Sequence, residues 1–193
     1  LSGALRAAAV ARTGASGAAA AEGAVTDAVN TSTATATRAV NVTVSVMQRA
    51  QGLASSELAA IQRVEARLTQ LVRQAIRNVD SGTATGAWAQ RLAMTATGTR
   101  TYPMVLGNAI HEETFTLIQQ DVANGTLPAG IRTNIGGASG ALTNSFGRLR
   151  PDIRMPLTGG KEAIFDITTT RQAGHAGKYA SFSFVQYISE LLY

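Results

Sequence analysis

The sequence predicts an α+β protein, with a mainly helical first half and a smaller α/β half built around a β-hairpin. Three observations carry this reading. Apolar residues at steps of three and four run without a break from Ser55 to Asp80. A second helical pattern opens at Tyr102-Pro103 and ends at Asn124-Gly125. Between Arg150 and Thr168, two short runs flank Gly159-Gly160, and the second alternates Ala163, Phe165, Ile167 against Ile164, Asp166, Thr168. Period two beside a Gly-Gly connection is the mark of a hairpin.

Residues 1–52 are rich in Ala, Gly, Thr, Ser and Val. Thr13-Gly14 and Ser16-Gly17 break the first part, which reads as linker or as weak helix. Helix is the expectation over 23–51, with Val25, Val29, Val40, Val44 and Met47 as its contacts, although the threonines of 31–37 are poor helix formers. The 55–80 helix has Ser55 or Ser56 to cap it and Glu57 in its first turn. Its stripe is Leu58, Ile61, Val64, Leu68, Leu71, Ala75 and Val79, and Arg63, Arg67, Gln70, Gln74 and Arg77 form a basic stripe beside it. Such a stripe reads first as the solvated face of a helical hairpin packed on 23–51, and second as a surface for DNA or a protein partner.

Ser81-Gly82 and Gly86 interrupt the pattern before a short segment around Trp88–Ala93, where the Trp serves as a core anchor. Residues 95–100 look like a linker. The expected division is therefore an Ala-rich, mainly helical region or linker over 1–100 and a second domain over 101–193. In the helix from Met104 to Ala123, Glu113 falls in line with Leu106, Ile110 and Leu117. A carboxylate on an apolar face costs free energy unless it is paired or metal-bound. Residues 125–147 are glycine-rich and read as loops and short strands; they lack the Gly-Lys-Ser/Thr ending of a phosphate loop. A C-terminal helix is expected after Tyr179.

If Thr158-Gly159-Gly160 is a three-residue loop, Leu157 pairs with Lys161 and Asp152 falls opposite Asp166. Like charges facing each other across a sheet are destabilising. A divalent cation is the simplest offset, since it takes carboxylate oxygens. Pro151-Asp152 followed by Asp166-Ile167-Thr168 resembles the PD-(D/E)xK core of restriction-endonuclease-like nucleases. It is similar more narrowly to the toxin versions found at the C-terminal end of bacterial polymorphic toxins. The resemblance covers about Tyr102 to the C-terminus, and Thr168 stands where the family usually has lysine.

The resemblance implies a small core with a mixed sheet flanked by helices, and a metal site of Glu113, Asp152 and Asp166 holding Mg²⁺ (or Mn²⁺). The Ile167 carbonyl is a further ligand in similar cores. Thr168 shares a strand face with Asp166 but cannot act as a base at neutral pH. Lys178 or Arg171 are the candidates for the missing positive charge, and Gln172 and His175 the candidates for contacting phosphate or orienting water. Arg148, Arg150 and Arg154 cluster around the first acid as substrate contacts.

Composition agrees with a polyanionic substrate. The net charge is +5 and is carried almost wholly by arginine, whose fork suits phosphate. Cysteine is absent, which excludes disulfides, thiolate nucleophiles and Cys-based zinc sites, and His111 and His175 are the two histidines. No apolar run reaches membrane-spanning length. The start lacks Met and the layout of a signal peptide, so the chain is expected to be a piece of a longer protein.

The resulting expectation is a metal-dependent DNase, the toxin domain of a secreted bacterial effector that acts in target-cell cytoplasm and is countered by an immunity protein. The alternatives are an RNase with the same site, because nothing here reads a 2′-hydroxyl, and a non-catalytic helical interaction module.

Overall fold

A computed structural model describes residues 40–49, 52–134 and 150–193. Val40–Tyr193 form one compact unit. Its sheet has five strands: β1 (Thr43–Arg49), β2 (Arg132–Thr133), β3 (Ile153–Pro156), β4 (Glu162–Thr168) and β5 (Val185–Leu192), in the order β1-β5-β4-β3-β2. The sheet is mixed: β4 and β5 are parallel, and the other neighbours are antiparallel. Among the described residues three α-helices accompany it, α1 (Ser55–Asp80), α2 (Ala87–Ala93) and α3 (Tyr102–Ala123). The fold is therefore α+β, with helices flanking a mixed sheet.

Strand alternation sorts the side chains into two layers. Ala163, Phe165 and Ile167 of β4, with Ile153, Met155, Tyr187 and Leu191, join the main core. The apolar stripe of α1 and Ala109, Ile110, Leu117 and Ile118 of α3 fill the other side of that core. Ile164 and Ile188 point the opposite way, into a second cluster with Ala176, Tyr179 and Val185. That second face is covered by the segment between β4 and β5, which contains 3₁₀ turns at Thr170–Gln172 and His175–Ser181. Parallel neighbours require a crossover of this kind.

The hairpin has the register read from its sequence. Ile153 pairs with Phe165 and Pro156 with Glu162, and the Leu157 amide donates to the Lys161 carbonyl at 2.8 Å. Gly159 and Gly160 both have positive φ, +67° and +72°, which glycine adopts without a steric penalty. The turn is tied to α1, because Glu57 accepts hydrogen bonds from the amide and the hydroxyl of Thr158.

Elsewhere the structure departs from the sequence reading. The expected C-terminal helix is a 3₁₀ segment followed by β5. Burial on both faces explains the error: β5 is buried almost throughout, with Ser189 and Glu190 as well as its apolar residues inside, so polar and apolar positions do not alternate along it. A pattern without alternation does not distinguish strand from helix, and the β-branched and aromatic residues Val185, Tyr187 and Ile188 favour strand.

Within the expected 23–51 helix, Thr43–Arg49 is an edge strand paired with β5, again rich in β-branched residues; residues 23–39 and 50–51 lie outside those described. Among the described residues, α1 packs on α3 and the sheet. The expected boundary near residue 100 falls inside the compact unit. No serine side chain caps α1; Glu57 spends its carboxylate on Thr158 instead. Trp88 packs against the main core and carries the Arg91 guanidinium 5.1 Å from its ring centre.

Candidate active site at the open end of the hairpin

Two acids, a histidine and a lysine converge where the hairpin strands leave the turn behind. Asp166 lies on β4, on the face with Ile164, and is 2 % exposed. Asp152 immediately precedes β3 and extends its register to the position opposite Asp166. Its Oδ2 accepts the Ile167 amide at 2.9 Å, and its own amide lies 3.5 Å from Asp166 Oδ1. The two carboxylates are thus held side by side through backbone groups. Burial, and after it the charge of Asp166, push the Asp152 carboxyl up to about 8, although the Ile167 amide, Lys178 and His175 pull the other way.

The 3₁₀ segment supplies the positive side. Gly174 takes φ +93° and turns the chain back over the sheet face. His175 Nδ1 then sits 3.0 Å from Asp166 Oδ2. Side chains three apart eclipse on a 3₁₀ helix, and this brings Lys178 over His175: its ammonium is 2.9 and 3.1 Å from the two ring nitrogens. Lys178 also lies 4.8 Å from the centre of the Tyr179 ring. Tyr179 is fully buried beneath this turn, and burial together with the fields of Asp166 and Asp152 raises its phenol, which stays protonated at any physiological pH.

The remaining sequence candidates divide. Thr168 is buried on the Asp166 face, and its hydroxyl reaches Gln172 Oε1 at 3.4 Å. Gln172, Arg150 and Arg171 are exposed. Arg154 is buried and ion-paired with Glu162, so its guanidinium is committed within the sheet. Arg148 lies outside the described residues.

Glu113 is buried, as its place in the apolar stripe implies, but it faces α1, where Asn78 Nδ2 donates to it at 2.6 Å. The structure does not bring Glu113 to the acid pair. The reason is geometric: α3 packs on the main-core face of the sheet, while Asp166 points to the other. Among the described residues no group of three or more His, Asp or Glu side chains is arranged to hold a metal. The two adjacent carboxylates still fit Mg²⁺, which commonly takes one or two protein carboxylates and fills its remaining positions with water and phosphate oxygen.

Sequence reasoning missed three contributors. His111 of α3 is bonded to the Ile167 backbone and feels the Asp166 charge, while burial lowers its proton affinity. Tyr193 is raised to about 12 by burial and by Asp152. Glu190, wholly buried on β5, is the register partner of Asp166. None belongs to a recognisable spacing motif; the two C-terminal residues were hidden by reading a strand as a helix. No protein-family model, curated protein or solved structure matches the chain. No helix among the described residues is long and apolar enough to cross a membrane.

Proposed function

We propose that residues 40–193 are a metal-dependent nuclease that hydrolyses DNA phosphodiesters, the toxic domain of a secreted bacterial effector. The observation that carries the reading is the convergence of Asp152, Asp166, His175 and Lys178 from two strands and a turn. Phosphodiester hydrolysis asks for a bound cation or equivalent, a means of moving a proton, and positive charge facing the transition state. Asp152 and Asp166 would hold Mg²⁺ or Mn²⁺, which supplies polarisation of the phosphoryl oxygen and a hydroxide at neutral pH. Lys178 provides the charge that Thr168, in the usual lysine position, lacks. Its ammonium already lies within the field of Asp152.

His175 contacts Asp166 and is itself open to solvent, with 55 % of its side chain exposed. It can therefore reach a water or a bridging phosphate oxygen while its other edge stays oriented. Exposed Arg150 and Arg171 flank the acids in sequence and suit the phosphates on either side of the scissile bond. A cognate immunity protein, needed by the producing cell, belongs to the same proposal.

The test is incubation of the purified chain with supercoiled plasmid and with total RNA, in Mg²⁺ or in EDTA, beside Asp166→Ala. Loss of supercoiled DNA that requires both metal and Asp166 supports the proposal. Selective loss of RNA replaces it with an RNase. If neither is cut in Mg²⁺ or Mn²⁺, the acids are structural and an interaction module is the better account.

A further inference from the structure

We propose that Glu190 is a positioning residue that fixes the His175–Lys178 turn against the acid pair; this rests on reading that pair as the active carboxylates. Glu190 is 0 % exposed and sits beside Asp166 on the neighbouring parallel strand. Its Oε2 accepts the Gly174 amide at 2.7 Å and its Oε1 accepts the Ala176 amide at 2.7 Å. These two peptide groups bracket His175. With both amides held, the Cα of His175 is pinned between them and its ring falls on Asp166 at 3.0 Å. Lys178, one 3₁₀ turn later, follows as a consequence.

The chemistry explains why a carboxylate occupies this place. Burying a charge beside another like charge is costly unless strong hydrogen bonds compensate it. Only a carboxylate offers two acceptor oxygens in this geometry. The amide of a glutamine would present a donor to one of the two N–H groups and leave it unpaired. Glu190 therefore spends its charge on the loop and not on substrate: both of its oxygens are occupied, and the sheet strand holds it rigidly.

The test joins amide exchange to kinetics. In the wild-type chain, the Gly174 and Ala176 amides should exchange far more slowly than that of exposed Ala173. Their protons should also shift downfield, as charge-assisted bonds require. In Glu190→Gln, at least one of the two should lose its protection. Cleavage should then fall by about 10–100-fold in kcat, the usual scale for a supporting shell, with KM within about twofold. In a His175→Ala/Lys178→Ala background the same substitution should have no further effect on kcat, because Glu190 acts through the two side chains of the turn it holds.

A further loss of kcat on adding Glu190→Gln to His175→Ala/Lys178→Ala overturns the proposal. So does unchanged exchange at Gly174 and Ala176 in Glu190→Gln. If that variant does not fold, the wild-type exchange rates decide, and amides as fast as that of Ala173 overturn it. Protected amides in a wild-type chain that cuts neither DNA nor RNA support the clamp and overturn only the nuclease reading.

Discussion

Asp152 concentrates the physics of the site. Its carboxyl is raised above its ordinary value by burial and by Asp166, so the folded state binds a proton more tightly than the unfolded chain does. Its contribution to stability is fully present below the unfolded pKa of about 4 and is lost as pH rises towards the folded value near 8. Thermal melts between pH 5 and 8 should therefore show Tm falling with pH, and Asp152→Asn should flatten that fall. A profile for Asp152→Asn that parallels the wild type would contradict this. Lys178 makes a second prediction at the same scale. Replacing it by alanine removes the charge aimed at the acids and should lower kcat by about 100-fold or more, the scale of losing one transition-state donor, while the fold persists because the side chain is only half-buried.

At the scale of elements, the two faces of the sheet divide the work. The helical face supplies stability. Leu68 of α1 is fully buried in the main core, and Leu68→Ala should cost roughly 2–5 kcal/mol in denaturant titrations. The basic stripe of α1 belongs to this layer. Arg67 is engaged by Asp121 at 2.6 Å, and Arg63 and Arg77 are exposed. Because the acids lie on the other face, Arg63→Ala and Arg77→Ala should leave cleavage within about twofold of wild type, whereas Arg171→Ala should raise KM for nucleic acid. Equal losses at all three positions would place the substrate across α1 instead.

The elements also show what the sequence could and could not disclose. The stripe from Leu58 to Val79 and the hairpin register were legible because each has a periodicity that only one structure satisfies. β5 was not, because a strand buried on both faces carries no alternation. That single misreading hid Glu190, Tyr193 and the neighbour relation between Asp166 and Glu190. Glu113 illustrates a different limit: helix periodicity located it on a buried face, but not which of two neighbours that face meets. It meets Asn78 of α1. Lys178 and His175 were legible as chemistry, yet the meeting of His175 with Asp166 and of Lys178 with His175 depends on a left-handed Gly174 and a 3₁₀ turn that residue spacing does not reveal.

For the whole molecule, the account places a pair of mutually repelling carboxylates at the open end of a hairpin, with a cationic turn closed over them by a buried acid. A surplus of arginine over the chain suits a phosphate polymer. The central claim is that Asp152 and Asp166 are held together to receive a divalent cation, and are not merely tolerated there. The most direct measurement is thermal unfolding of the wild type and of Asp166→Asn, each with and without millimolar Mn²⁺ or Mg²⁺, at pH 6 and pH 8. A ligand that binds only the folded state raises Tm, and a cation that must displace a proton from Asp152 does so more at the higher pH. The account predicts a metal-dependent rise in the wild type that grows from pH 6 to pH 8 and vanishes in Asp166→Asn. An equal rise in the variant, or none in the wild type at either pH, would contradict it.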